Sequence, residues 1–512
     1  MVDAVSTSVL EVPTTLDPAV CTRALGARDP RFDGIFFVGI TSTGIYCRPI
    51  CPARVSVPDH RRFFETAASA ELAGFRPCLR CRPELAPGLG QVDAVSRLAR
   101  MAAQCIEAGA LNGHGVGHLA SELGVSERHL RRVLERELGV SPLELARTHR
   151  LLLAKRLLAD TSLSVTRVAY ASGFQSLRRF NAVFRERYRL SPSAVRRPDQ
   201  GTRASGRPQG ATSATTDTVR LTLAYRPPMA WETLTGMLQA ESLPGVDQAE
   251  QGRYRRTVRL GDRTGVVSVA DAGSDSGRQG RNHVEVDVST SLLPVLMPLL
   301  SRLRHIFDLD AQPTVVDQHL TQGGLGDLVR QTPGLRIPGA IDGFEVALRV
   351  LLFDDGTAGG ELAGRVIRAL GDPISTGIAG LDRLAPTADR VAEIGASGLQ
   401  ALGVPVAVAV PLAILAREIA SGRLRLEPHR DVNATEETLL AIGGMNPRWA
   451  TAIVLRALYW PDAFDPADSQ LQLAAGESTM NGLAARAEQW RPWRGYALLH
   501  LRRSDSTSAP LP

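Results

Sequence analysis

Four cysteines fall within the first 81 residues as two close pairs, Cys47-x3-Cys51 and Cys78-x2-Cys81, with 26 residues between them. Two such pairs brought together from separate stretches supply the four thiolates of a tetrahedral Zn2+ site. The rival use of paired cysteines is a disulfide framework, which belongs to exported chains. Met1 to Val20 is polar and acidic, without the basic start and apolar run of a signal peptide. A small zinc-bound α/β domain in a cytoplasmic protein is therefore expected. Cys21 and Cys105 have no partner spacing and read as core or surface thiols.

At 512 residues the chain is long enough for three or four domains. It has no apolar run near the roughly 20 residues that a membrane span needs. Its net charge of +6 is unevenly spread: residues 91–197 hold 18 Lys or Arg against 9 Asp or Glu, leaving the remainder net acidic. A basic segment of this kind suits a polyanionic partner. Nearly all the basic charge is arginine, Lys155 being the only lysine.

From Asp93 to Pro192 the pattern is one of short helices broken by Gly or Ser turns. Arg196 to Thr218, rich in Gly, Ser, Thr, Pro and Arg, reads as a flexible linker. Alternating runs such as Val219–Leu223, Val266–Val269 and His283–Val288 predict antiparallel strands. Helical periodicity then continues from Ser291 to about Leu501. The expected fold class is multidomain α+β. It comprises a zinc domain (1–88), an all-α reading domain (89–197), a linker (198–218), a small sheet (219–290), a helical body (291–502) and a disordered tail (503–512).

The text around the cysteines runs Thr43-Gly44-Ile45-Tyr46-Cys47-Arg48-Pro49-Ile50-Cys51-Pro52-Ala53-Arg54 and Phe75-Arg76-Pro77-Cys78-Leu79-Arg80-Cys81-Arg82-Pro83. With Ala27-Arg28-Asp29-Pro30 ahead of it, this resembles the N-terminal domain of the Ada family, self-alkylating sensors of DNA methylation damage, over roughly residues 15–87. A thiolate bound to Zn2+ stays deprotonated at neutral pH, so a nucleophile exists without an adjacent base. Four thiolates leave the cluster at −2, and a neutral methyl phosphotriester approaches it with less repulsion than an ordinary phosphate. Taking up one methyl moves the cluster to −1 and lowers its repulsion against the DNA backbone, where long-range electrostatics set much of the affinity. Spacing alone does not say which sulfur accepts. The resemblance assigns that role to Cys47, with Cys51, Cys78 and Cys81 as spectators, and makes Arg54 a phosphate-gripping DNA contact, helped by Arg48, Arg76 and Arg80.

A repeated pattern follows. Val116 to Arg132 ends one helix at Gly124 and caps the next with Ser126; Val165 to Arg179 repeats it with Gly173 and Ser176. Joined by a long helix over about Leu143–Leu158 and closed by Phe180-Asn181-x-x-Phe184-Arg185-x-x-Tyr188-x-Leu190-Ser191-Pro192, the pair resembles the AraC-type DNA-binding domain. Recognition helices are expected over Glu127–Leu134 and Ser176–Phe184. They present Arg128, His129, Arg131 and Arg132, and then Gln175, Arg178 and Arg179, to base edges and phosphates. Leu130, Val133, Leu134, Phe174, Phe180 and Phe184 are expected in the core.

Residues 219–502 resemble the helix-hairpin-helix family of 3-methyladenine DNA glycosylase II. The resemblance rests on Arg491-Pro492-Trp493-Arg494-Gly495-Tyr496-Ala497-Leu498-Leu499-His500, on Pro333 to Gly339 and on Asp462-Ala463-Phe464-Asp465-Pro466-Ala467-Asp468. It places the catalytic carboxylate at Asp468 and an aromatic pocket for a flipped cationic base at Trp449, Trp490, Trp493 and Tyr496. Schiff-base lyase chemistry needs a lysine, and this half has none, so the implied enzyme is monofunctional. Three departures stand out. Pro447 occupies the hairpin and has no N–H for a phosphate; Phe353-Asp354-Asp355-Gly356-Thr357 stands where the family has an apolar wedge; Ala467 precedes Asp468. Two readings of this half stay open, an active glycosylase or a retained fold with weakened activity. There is no Pro-Cys-His-Arg motif, so reversal of base O-alkylation is not expected.

Together these resemblances imply a damage-response protein. It would take a methyl from DNA on a zinc-bound cysteine, activate transcription of repair genes from a promoter operator, and carry a module against alkylated bases. The expected partners are double-stranded DNA in those three guises and RNA polymerase, with no membrane; a monomer is expected. The alternative is a zinc-stabilised transcription regulator with an inactive glycosylase fold.

Overall fold

The computed structural model describes residues 16–53, 56–88, 96–196, 218–273, 282–354, 359–428 and 430–504. Arg54, Asp355, the predicted linker from 198 to 217 and the tail from 505 lie outside the described residues. The last helix, Arg494–Ser504, takes in the first two residues of the stretch expected to be disordered. Among the described residues no helix is long and apolar enough to cross a membrane.

The zinc domain is built on a four-stranded sheet ordered β3-β1-β2-β4: β1 (Phe37–Ile40), β2 (Ile45–Cys47), β3 (Arg61–Phe64) and β4 (Arg76–Pro77). β1 runs antiparallel to β2 and β3, while β2 and β4 are parallel. Phe36, Phe37, Tyr46, Ala70 and Phe75 fill its interior.

The reading domain is all helical, and its turn chemistry follows the predicted signals. Ser126 accepts from His129 N at 3.2 Å to start the helix Glu127–Leu138, and Ser176 accepts from Arg179 N at 3.3 Å to start Leu177–Tyr188. Gly124 and Gly173 take positive φ of 68° and 85° in the turns, a conformation that costs glycine nothing. The connecting helix is Pro142–Asp160, slightly longer than expected. Leu130, Val133, Leu134, Phe174, Phe180 and Phe184 are all buried, as expected.

The second half opens with a five-stranded antiparallel sheet ordered β5-β9-β8-β7-β6. β5 (Thr218–Ala224), β8 (Arg263–Asp271) and β9 (His283–Ser289) contain the three predicted runs. β6 (Asp247–Glu250) and β7 (Arg253–Leu260) escape the sequence reading because their inward positions include charged residues. Arg256 is only 1% exposed and forms a two-pronged ion pair with Glu345 at 2.9 and 2.7 Å. Arg349 joins Glu345 to Asp247, at 2.8 and 3.0 Å, so each charge of this buried group has a partner. The helical body behind the sheet contains a helix pair, Val432–Leu440 and Pro447–Ala457, joined by a hairpin.

The halves are not independent beads. Leu151, Leu157, Phe180 and Phe184 of the reading domain share one continuous apolar core with Val219, Leu221 and Val286 of the sheet. Arg226 is buried and donates to the carbonyls of Asp33 at 3.1 Å, Gly88 at 2.8 Å and Asp310 at 2.9 Å, tying zinc domain, sheet segment and helical body together.

Candidate functional site

The strand order explains how two distant cysteine pairs meet. Cys47 ends β2 opposite Val38, and Cys78 follows β4, its N–H donating to Tyr46 O at 3.0 Å. Cys51 and Cys81 lie in the turns beyond. The four Sγ atoms fall within 4.8 Å of one another and all four residues are buried. Tetrahedral Zn2+ with bonds of about 2.3 Å needs sulfurs about 3.8 Å apart, so the donor set and its spacing fit the ion. Left to themselves the sulfurs compete for protons. Hydrogen bonds with Cys47 draw the Cys51 thiol down to about 7 and Cys78 below its ordinary range, and bonding with Cys51 pushes Cys47 up. A bound dication removes that competition.

The sulfurs differ in their backbone neighbours. Arg48 N donates to Cys81 Sγ and Arg80 N to Cys78 Sγ, both at 3.4 Å, and Ala53 supplies a backbone hydrogen bond to Cys51. Among the described residues no backbone N–H bonds to Cys47 Sγ. Each N–H damps a thiolate's lone pairs, so Cys47 keeps the most available electrons.

Arg48, expected among the DNA contacts, points into the zinc domain. It is 7% exposed, donates from Nε to Asp33 Oδ1 at 2.8 Å and from Nη1 to Cys81 O at 3.1 Å, and is ion-paired with Asp33. It braces the cysteine loops from inside, with three of its five N–H groups on Asp33 and Cys81 O. Asp33 was not singled out in the sequence, where nothing but a fold could pair it with a residue 15 positions away. Arg80 is exposed beside the site and Arg76 half-buried; Arg54 lies outside the described residues.

In the reading domain Arg128, Arg132, Gln175, Arg178 and Arg179 are exposed, with His129 and Arg131 half-buried. Arg131 leans on Glu127 at 2.9 Å one turn back, and Arg132 reaches His129 at 3.4 Å. Both helices present basic faces opposite their Leu and Phe cores.

In the helical body Asp468 caps the short helix Ser469–Ala474, accepting from Gln470 N at 3.0 Å and Leu471 N at 3.2 Å. Its other oxygen is ion-paired with Arg502. Trp449, Trp490, Trp493 and Tyr496 are all buried. Trp490 is fully enclosed, with its N–H on Gly323 O at 3.0 Å and its ring edge-on to Phe464, so its ring is core packing and presents no open pocket wall. Tyr496 donates to Asp308 Oδ2 at 2.6 Å and stands edge-on to Trp493. The departures look different in place. Pro447 is the first residue of its helix, where a missing N–H breaks no helical bond, and Asn446 Oδ1 caps that helix by accepting from Trp449 N at 2.8 Å. Asp354 is 3.5 Å from Arg448, the second residue of that helix, so its charge is compensated. A cleft of about 800 Å³ between the helix Arg97–Glu107 and the helical body contains none of the predicted site residues.

Aligned end to end, the chain is 36% identical over 488 residues to the Mycobacterium tuberculosis probable bifunctional transcriptional activator/DNA repair enzyme AlkA, covering 94% of this chain and 95% of the relative. It belongs to that AlkA family of bifunctional activator/repair proteins. Within this AlkA-type chain, three family descriptions match in order: the metal binding domain of Ada at residues 20–84, a helix-turn-helix domain at 119–198 and the AlkA N-terminal domain at 220–342. DNA-3-methyladenine glycosylase 2 of Escherichia coli is 30% identical over 283 residues, 55% of this chain and 95% of that protein. The bifunctional transcriptional activator/DNA repair enzyme Ada of the same species is 36% identical over 121 residues, 23% of this chain and 31% of that one. The four-cysteine centre is accordingly a Zn2+ site.

Proposed function

We propose that Cys47 accepts a methyl group from a methyl phosphotriester in DNA and that the change drives transcription activation through the two recognition helices. One observation carries this reading: in a closed set of four buried sulfurs, Cys47 Sγ stands apart as the one with no backbone N–H on it among the described residues. Zn2+, when bound, keeps the sulfurs ionised. Cys47 Sγ attacks the methyl carbon in line; the S–C bond forms as the C–O bond breaks, and the electron pair stays on the phosphate oxygen, restoring an ordinary diester. The sulfur centre loses one negative charge, and repulsion toward the duplex falls with it. The thioether is permanent, so each chain reacts once. Mass spectrometry after exposure to duplex carrying methyl phosphotriesters should find one added methyl per chain on the Cys47 peptide. A methyl on any other cysteine, or none, contradicts the assignment.

In the helical body, Asp468 supports the reading of a monofunctional glycosylase. Its carboxylate stabilises the cationic sugar as an alkylated base departs, and water then completes the hydrolysis. Lys155, the one lysine, is buried beneath the zinc domain in an ion pair with Glu84, so no amine serves a lyase step. Release of 3-methyladenine should be abolished by Asp468→Asn. The second reading, a retained fold without excision, is favoured by the Arg502 guanidinium on this carboxylate; a full-length protein that releases no base would select it.

A further inference from the structure

One short helix of the zinc domain, Ala67–Leu72, touches both recognition helices. Its N-cap Thr66 reaches the carbonyl of Leu138, the last residue of the helix Glu127–Leu138, at 3.5 Å. Ser69 Cβ lies 3.6 Å from where a side chain at Gly139, the left-handed cap of that helix, would begin. At the other end Glu71 O accepts from Arg187 Nη1 at 2.7 Å, one residue before the helix Leu177–Tyr188 closes. Arg187 also pairs with Glu144 of the connecting helix at 2.9 Å. A second tie holds the far end of the connecting helix: Arg82, next to Cys81, grips Asp160 with bonds of 2.7 and 2.6 Å, and Lys155 is ion-paired with Glu84. Glu71 and Arg187 stand 116 positions apart, so no motif marks the link.

The geometry points to Arg187 and Arg82 as positioning residues that fix the two recognition helices relative to each other, so that the spacing of the half-sites becomes part of what this protein reads in DNA. Two helices joined only through Pro142–Asp160 can each swing about their own turn. A strut from the zinc domain that holds the end of each one closes a triangle, and a triangle moves as one body. Along one side of a duplex the major groove recurs about every 10 to 10.5 base pairs. One inserted base pair carries the second half-site about 3.4 Å along the axis and turns it by roughly 35°. A swinging pair of helices follows that change. A fixed pair gives up the contacts of one helix, or deforms the duplex at a cost in free energy. Besides its proposed methyl chemistry, the zinc domain is thus the gauge that sets which spacing binds.

The test is fluorescence anisotropy of the full-length, zinc-loaded protein on its own promoter operator and on the same duplex with one base pair inserted or removed between the half-sites. The parent is expected to bind the altered spacings more weakly by about tenfold. Arg187→Gln and, separately, Arg82→Gln are expected to shrink that ratio to about threefold or less. Arg82→Asp combined with Asp160→Arg, which turns the ion pair round, is expected to restore it. Arg82 and Asp160 are partly exposed, so opening their pair empties no core. A merely structural role would weaken binding to every duplex by the same factor, and that outcome overturns the inference. So does a parent that binds all three spacings equally, whatever becomes of Cys47 as methyl acceptor.

Discussion

Glu71 shows how one buried carboxyl joins domains and sets a pH dependence. It accepts from Tyr46 Oη at 3.1 Å inside the zinc domain, from Thr148 at 3.3 Å on the connecting helix, and lies 3.6 Å from Arg187. Burial raises its pKa from 4.5 to about 7, against the pull of Arg187 and the two hydroxyls. The folded state thus keeps a proton that the unfolded chain gives up above about 4.5. Stability should fall as pH rises from about 4.5 to about 7 and level off beyond, a span worth up to about 3 kcal/mol. Urea unfolding of Glu71→Gln across this range should show that slope removed and the variant more stable than the parent at pH 8. A slope identical to the parent's would place the titration elsewhere.

At the scale of elements, local signals carried far and charged interiors did not. Serine caps, turn glycines and apolar periodicity are written within a few residues of the structures they make, which is why the paired recognition helices were legible to within a turn. β7 was not, because Arg253, Arg255, Arg256 and Arg259 make it look like surface; only Glu345, 89 residues beyond Arg256, turns that arginine into a core residue. The bracing role of Arg48 was hidden for the same reason, since its partner Asp33 is set by tertiary structure. The hairpin offers a local test. Asn446→Ala removes the cap of Pro447–Ala457 and should cost about 1 kcal/mol in denaturant unfolding. A loss below the error of that measurement would mean that packing of Trp449, Ile453 and Leu455 alone holds the helix.

For the whole molecule, composition foretold several domains and a basic reading segment, but not their arrangement. The predicted linker left the placing of the two halves open; Arg226 and a shared apolar core join them. Contacts across 193 residues leave no trace in periodicity or spacing. Arg226→Ala should uncouple the halves, turning a single calorimetric transition into two; a single unshifted transition would show the shared core to be sufficient. That joining matters for the proposed switch, because charge lost at Cys47 on methylation would be felt by a body whose recognition helices are fixed to it. The most direct measurement is fluorescence anisotropy of the full-length protein on duplex from its own promoter, at one fixed salt concentration, before and after stoichiometric methylation. The account predicts at least tenfold tighter binding after methylation and no gain for Cys47→Ala exposed to the same methylated DNA. Equal affinity of the methylated and unmethylated proteins would contradict it.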